Sequence, residues 1–440
     1  MRLDPFKLAH WANARKITPP QLAERAGVDP ALVTAMLSAE GRDIGDEVAA
    51  AIAEALDLAP AQLDGSGAHG LTAIWQSADE LRATHRPIQR DGIHFYNYYT
   101  LAAPPGHVAP VILDILCPQD RLPALNKGHL EPAITVNLGP GPIHGRWGEH
   151  LDESTWQVIE ANQDQDAWIV GESYIEPSFC PHSYSLASDQ PARIVSYTGQ
   201  ANLAPLVEEA NTWGAPAFDR FAKVLGSDLA PGALADLVLA ARGHDRASAA
   251  RAAGVPADQA GPAFDGEPGG LDALRDLCSA VGLDYRLLLP PVRRHDAVGK
   301  TYLSLTDSRE TVRTFQNYTV ASMASAPHLP DLVGLFVRVH GEGGAELAEP
   351  NETLYLVSCG EVTLEWTDAS GRLQSRTGGP DDSVWVGPYV AHRWSGDGAL
   401  LKLSSGLHVN SLDLVELTNT YAPDATIRRA HHDVQGWGYE

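Results

Sequence analysis

The sequence is poor in cysteine. Four residues among 440, Cys117, Cys180, Cys278 and Cys359, are scattered with no CxxC pair. This argues against a disulfide framework, a cysteine zinc site or a redox motif, and fits a reducing cytoplasm. Cations are scarce too: 32 Lys and Arg against 56 Asp and Glu give a formal charge of −24. Phosphate contacts need clustered Lys and Arg, so this balance opposes nucleic-acid binding. It favours solubility and says little about fold. No apolar run is long enough to span a bilayer. The N-terminus, MRLDPFK, is charged and has no apolar core, so no signal peptide is expected. Neither a nucleic acid nor a membrane is an expected partner, and a homo-oligomer stays open.

What the chain does contain is a repeat. FYNYYTLA at 95–102 recurs as FQNYTVAS at 315–322, and SYIEPSFCPH at 173–182 recurs as SVWVGPYVAH at 383–392. In that register His182 matches His392 but Glu176 matches Val386. Setting Gly139 against Gly360 places His129 opposite Pro350 and Glu131 opposite Glu352. Helical signals precede each β-rich block. Asp29 followed by Pro30 is an N-cap with proline at the first helical position. Residues 46–56 have early acids and apolar spacing near 3.6. QLAERAGVD at 21–29, with Gly27 supplying a turn, resembles the start of a helix-turn-helix and recurs at 248–256 around Gly254. Short alternating runs such as AITVNL at 133–138 and VTLEW at 362–366, with Gly-Pro punctuation, read as strands.

The expected architecture is α+β and multidomain: a tandem repeat of an all-α helix-turn-helix-like domain and a cupin (jelly-roll β-barrel) domain. The expected bounds are 1–66, 67–212 with the metal site, 213–290, and 291–440 as a degenerate barrel without metal.

His129, Glu176 and His182 are the candidate metal ligands. Two imidazoles and a carboxylate on one face of a metal suit non-haem Fe(II), because three positions stay open. His182 alone, retained as His392, reads as a satisfied core residue; the pair missing from the second copy reads as a site. Glu131 is the rival carboxylate, since His129 and Glu131 lie on one face of a strand. Its match to Glu352, where the histidine is absent, speaks for structure instead.

Arg90, Tyr98 and Asn126 are candidate anion donors. Arg90 and Tyr98 share parity if the strand is unbroken, and Arg, Tyr hydroxyl and Asn amide are groups that hold a phosphonate or phosphate. The alternatives are a solvated strand-end charge and core aromatics. Lys16 sits near a helix end, where a cation is favoured by the helix dipole alone.

These stretches resemble the hydroxyethylphosphonate dioxygenase family over essentially the whole chain, notably at 86–103, 126–139, 172–186 and 430–440. More distantly the chain is similar to hydroxypropylphosphonic acid epoxidase, which has one copy of the unit. The resemblance implies iron ligands at His129, Glu176 and His182, phosphonate contacts at Arg90, Tyr98 and Asn126, and catalytic roles for Lys16 and Tyr98. The second-copy counterpart of Lys16 is Gly243. The implied reaction splits 2-hydroxyethylphosphonate with O2 into hydroxymethylphosphonate and formate, in phosphonate or phosphinate natural-product synthesis. Methylphosphonate synthase, a relative acting on the same substrate, resembles this pattern but carries glutamine at the carboxylate position, so Glu176 points to the dioxygenase.

A helix-turn-helix cupin regulator is the rival from another class. Its recognition helix would be 30–40, which has no Lys or Arg, and residues 1–66 hold six basic and ten acidic side chains. A sugar-phosphate isomerase or storage cupin accounts for the duplication but not for the joint site pattern.

Overall fold

The computed structural model describes residues 2–37, 42–65, 71–90, 92–105, 107–118, 125–147, 171–199, 201–225, 231–289, 301–342, 344–406 and 411–432. They fall into two compact units: residues 1–199, 301–325 and 331–440 in one, residues 200–300 and 326–330 in the other.

The first unit opens with β1 (Arg2–Leu3) and helices α1 (Pro5–Arg15), α2 (Pro19–Ala26) and α3 (Pro30–Met36), then β2 (Arg42–Asp43) and α4 (Asp46–Ala55). Polar caps set the starts. Asp4 accepts from the backbone N–H groups of Phe6 and Lys7, Thr18 and Gln21 form a capping box, and Asp29 accepts from Ala31 at 2.8 Å. Such caps contribute about 1 kcal/mol each. Lys16 and Gly27 end α1 and α2 in left-handed backbone. Leu8, Leu22, Val33, Met36, Ile52 and Leu56 from these helices make one fully buried core.

The strands follow: β3 (Ala73–Gln76), β4 (Arg86–Arg90), β5 (Ile93–Thr100), β6 (Val111–Ile115), β7 (Ala133–Pro140), β8 (Ile143–Trp147), β9 (Ser173–Glu176), β10 (His182–Leu186) and β11 (Ala192–Thr198). The later set is β12 (Thr301–Leu303), β13 (Arg313–Phe315), β14 (Tyr318–Ser322), β15 (Val333–Val339), β16 (Glu352–Thr367), β17 (Leu373–Gly378), β18 (Ser383–Val386) and β19 (His392–Ser405). Three sheets carry them: seven strands in the order β12-β9-β7-β11-β6-β5-β4, the pair β10-β8, and eight strands in the order β13-β14-β15-β19-β16-β18-β3, with β17 on β16.

The two β-regions exchange their first strands. β3 pairs with β18, Trp75 opposite Val384, and β12 pairs with β9, Tyr302 opposite Tyr174. The runs expected at 354–357 and 362–366 are one strand, β16, interrupted by a bulge at Ser358. An equivalent bulge at Leu138 interrupts β7 against β11.

The second unit is helical, including Ala215–Leu225, Pro231–Ala240, Arg246–Ala253, Ala257–Phe264 and Leu271–Ala280. Its core gathers Leu239, Ala249, Phe264, Leu274 and Leu277. Gly254 ends its helix with φ of 67°, as Gly27 does in the first unit. The C-terminal GWGY at 436–439 lies outside the described residues.

Candidate metal centre and adjoining cavity

His129, Glu176 and His182 come together. His129 lies in the loop before β7, Glu176 ends β9, and His182 opens β10. β7 and β9 pair with Ala133 opposite Glu176, which carries the carboxylate to the loop holding His129. The three side chains each offer a ligand atom within 4.8 Å of the others. His129 Nε2 and His182 Nδ1 each lie 3.2 Å from Glu176 Oε1.

Backbone carbonyls orient both rings. His129 Nδ1 lies 2.5 Å from the Glu131 carbonyl and His182 Nδ1 lies 3.0 Å from that of Cys180. A carbonyl accepts only, so Nδ1 carries a proton in each ring; His129 Nε2 faces the acceptor-only Glu176 carboxylate and His182 Nε2 faces the Asn126 amide. Asn126 is fixed just as firmly. Its Oδ1 accepts from the N–H groups of Gly128 and His182, both at 2.9 Å. That leaves its amide nitrogen facing His182 Nε2 at 2.8 Å.

Glu176 is 1% exposed, and its Oε2 is buried with no hydrogen-bond partner. A buried carboxylate oxygen left so is costly unless a cation or a proton meets it. The hydrogen bond to Glu176 holds His129 above the ordinary histidine range, against the effect of burial. With two imidazoles and one carboxylate as donors, the set fits a mononuclear divalent ion with open positions, of which Fe(II) is the typical case. Below it lies a neutral floor. The Tyr174 and Tyr184 hydroxyls bond each other, and burial pushes both far above the ordinary tyrosine range.

Beside the histidines is a cavity of about 180 Å³. Tyr98 and Asn126 line it, as the sequence pattern predicts. So do Val108, Ala109, Ser196 and Thr198, which that pattern missed. Thr135 donates to Ser196 at 3.2 Å. Ile194, Ser196 and Thr198 alternate along β11, so period-two reading of that strand offered the signal.

Two expectations need correction. Arg90 and Tyr98 do not share one strand: Arg90 ends β4, Tyr98 is in β5, and β4 pairs Arg86 with Tyr98 and Arg90 with Ile93. The parity argument for them therefore fails. The Arg90 side chain lies outside the described residues, and it is the Arg86 guanidinium that sits over the Tyr98 ring, 5.8 Å from its centre. Lys16 is exposed at the C-cap of α1 and is not among the residues lining the cavity.

The second correction is to the repeat register. Phe179 N–H donates to the His129 carbonyl, and Tyr389 N–H to the Glu349 carbonyl, both at 2.6 Å. Phe179 and Tyr389 also share left-handed backbone, at φ 58° and 57°. Ala133 faces Glu176 as Thr353 faces Val386. His129 therefore corresponds to Glu349, not Pro350, and Glu131 to Asn351, not Glu352. Likewise Tyr96 hydroxyl bonds the backbone of Tyr184 as Tyr318 bonds that of Trp394. Tyr318 thus answers Tyr96, not Tyr98. Matching glycines shifted the first alignment by one residue, whereas backbone hydrogen bonds fix it. The joint loss of a histidine and a glutamate survives the correction; the argument that Glu131 is structural because Glu352 persists does not.

The fold and this three-residue set define a cupin-like metalloprotein built around a mononuclear centre. Residues 82–199 match the 2-hydroxyethylphosphonate dioxygenase cupin-like domain. The whole chain is 55% identical over 443 residues to 2-hydroxyethylphosphonate dioxygenase of Streptomyces viridochromogenes, with all of both chains covered. Among solved structures it is similar to a variant of 2-hydroxyethylphosphonate dioxygenase, at 52% identity and TM-score 0.85 over 97% of this chain and 100% of that one. It is also similar to PhpD with cadmium complexed with hydroethylphosphonate (HEP), at 51% identity and TM-score 0.83 over 98% and 100%. The chain belongs to the 2-hydroxyethylphosphonate dioxygenase family.

Proposed function

We propose that this chain is an Fe(II) dioxygenase that converts 2-hydroxyethylphosphonate and O2 to hydroxymethylphosphonate and formate. The observation that carries the reading is the buried Glu176 carboxylate, one oxygen 3.2 Å from both imidazoles and the other without a partner, beside a small cavity, in a chain with this family's full-length pattern. Substrate plus O2 equals the two products in every atom, so neither 2-oxoglutarate nor a reductant is required.

His129, Glu176 and His182 hold the iron, which supplies O2 binding and activation when bound. The Glu131 and Cys180 carbonyls hold Nδ1 of each ring and fix its orientation. Asn126, Tyr98 and Arg90 hold the phosphonate, and the Asn126 amide, locked by its two accepted N–H bonds, presents only donors to the cavity. Tyr98, on the cavity wall, brings a hydroxyl to the substrate, and the catalytic role of Lys16 is supported by the family resemblance alone; fixing the substrate in one pose removes most of the entropy the reaction would otherwise lose. The cavity is smaller than those that hold drug-sized ligands, which suits a two-carbon phosphonate.

The finer architecture is part of the same proposal: helical and jelly-roll cupin domains in tandem, at 1–66, 67–212, 213–290 and 291–440. The matching bulges at Leu138 and Ser358 and the helix-ending glycines Gly27 and Gly254 support it. The cysteine usage supports a cytoplasmic setting, and a homo-oligomer stays open. No helix among the described residues is long and apolar enough to cross a membrane. α3 carries no cation, which speaks against the regulator. Glu176 in place of glutamine speaks against methylphosphonate synthase.

Phosphorus NMR of the aerobic reaction is the test. Hydroxymethylphosphonate with an equal amount of formate is expected. Methylphosphonate as the main product moves the assignment to the synthase, and no consumption of substrate with Fe(II) and O2 removes it.

A further inference from the structure

The second β-region lacks the metal set among the described residues, yet one of its carboxylates holds the segment that lines the first region's cavity. Between β5 and β6 the chain makes an excursion, and Val108 and Ala109 of that excursion line the cavity. The Leu101 N–H closes its base on the Pro110 carbonyl at 2.9 Å. Two further anchors belong to the other sheet. Ala102 N–H donates to Ser383 Oγ at 3.1 Å. His107 Nδ1 lies 2.9 Å from Glu352 Oε2, and the same oxygen accepts from the Trp385 indole at 3.1 Å. The His107 and Trp385 rings meet edge to face, with centres 6.2 Å apart.

Glu352 is 8% exposed at the start of β16, so its carboxylate needs partners. It finds one in its own sheet and one in the excursion. Val108, by contrast, is 57% exposed. Packing cannot fix a side chain that exposed, so its position depends on the tether one residue away.

We propose that Glu352 is a positioning residue for the cavity: through His107 it sets the place of Val108 and Ala109, and so the width available to the substrate. The degenerate β-region is then part of the working site. This deepens the function proposed above and rests on it for the identity of the substrate.

The test compares full-length, iron-loaded Glu352→Ala, His107→Ala, the double variant and Glu352→Gln. Each single alanine variant is expected to raise KM for 2-hydroxyethylphosphonate by about tenfold while kcat changes far less, the signature of lost substrate positioning. The double variant should be no worse than either single, because one contact is removed in each case. Glu352→Gln keeps an acceptor for the indole and a polar atom for His107, and should recover most of the loss. A merely structural contact lowers the melting temperature of all variants and leaves KM alone.

Hydrogen exchange supplies a readout independent of turnover. Amides of 101–113 should exchange faster in both alanine variants while those of β9 and β10 do not. Unchanged exchange and KM in folded, iron-containing variants would overturn the inference. If Glu352→Ala does not fold, His107→Ala carries the same two measurements from the more exposed side of the pair. A wild-type protein that leaves the substrate untouched refutes the proposed reaction, and the exchange measurement still decides the tether.

Discussion

In the second β-region the Tyr355 hydroxyl lies 2.8 Å from His392 Nε2. The corresponding nitrogen of His182 faces the Asn126 amide beside the cavity. Tyr355 stands where the first region has Thr135, since Thr135 faces Tyr174 as Tyr355 faces Val384. Ser196, opposite Thr135, gives way to Lys402, opposite Tyr355. Lys402 Nζ pairs with Glu349 at 2.5 Å, the residue in the place of His129. An ammonium and a phenol hydroxyl thus satisfy groups that a metal would otherwise serve, and burial pushes the His392 imidazole below its ordinary range. These interior polar groups of the second β-region are thus paired with one another, not left bare.

The first prediction is one iron per chain. His392→Ala should leave the iron content unchanged, whereas His129→Ala should lose most of it. Metal analysis of anaerobically reconstituted protein reads this directly. Two tightly held irons, or full content in the His129 variant, contradicts it.

The two glutamates should separate. Glu176→Ala removes the buried carboxylate and should abolish iron binding and turnover. Glu131 orients His129 through its backbone carbonyl, which Glu131→Ala retains, so that variant should hold iron with affinity within about tenfold of wild type, the small end of indirect effects on a metal site. Iron titrations of both variants decide it, and the reverse order of losses overturns the ligand assignment.

Metal binding should weaken as pH falls. The Glu176 hydrogen bond raises His129 above its ordinary pKa, so a proton competes with the metal more strongly than at an ordinary histidine, and binding must release it. The sign of the folding linkage is opposite in the metal-free protein: a raised histidine adds stability that is full below its unfolded pKa and fades as pH rises through the folded one. Melting curves between about pH 6 and 8 should therefore show the stabilisation due to iron growing with pH. A metal-induced shift that is flat or larger at low pH sinks the argument.

Gly128→Ala should damage the site from beneath. A Cβ there would sit 2.5 Å from the Phe179 backbone carbonyl carbon, and the residue has φ of 71°. Backbone strain and the clash together should cost about 1–3 kcal/mol and displace the turn that holds the His129 carbonyl. A lower melting temperature with weakened iron binding is expected. A variant matching wild type in both shows that the loop can move aside.

The sequence by itself carried the helix starts, the recurring segments and the candidate ligands His129, Glu176 and His182. Caps such as Asp4 and Asp29 act within a few residues, so their effect is local and readable. His129, Glu176 and His182 were legible because their chemistry is unusual and one repeat lacks two of them. Tertiary structure decided everything that depends on which strand lies beside which. Parity could not show that a hairpin separates Arg90 from Tyr98. Matching glycines set His129 against Pro350, because side-chain identity carries no register, whereas the paired backbone bonds of Phe179 and Tyr389 set it against Glu349. The exchange of β3 and β12 between sheets, and the reach of Glu352 to His107, join residues far apart in the chain. Backbone pairing is chemically the same along every strand, so the choice of partner is made by packing in three dimensions and leaves little trace in the local sequence.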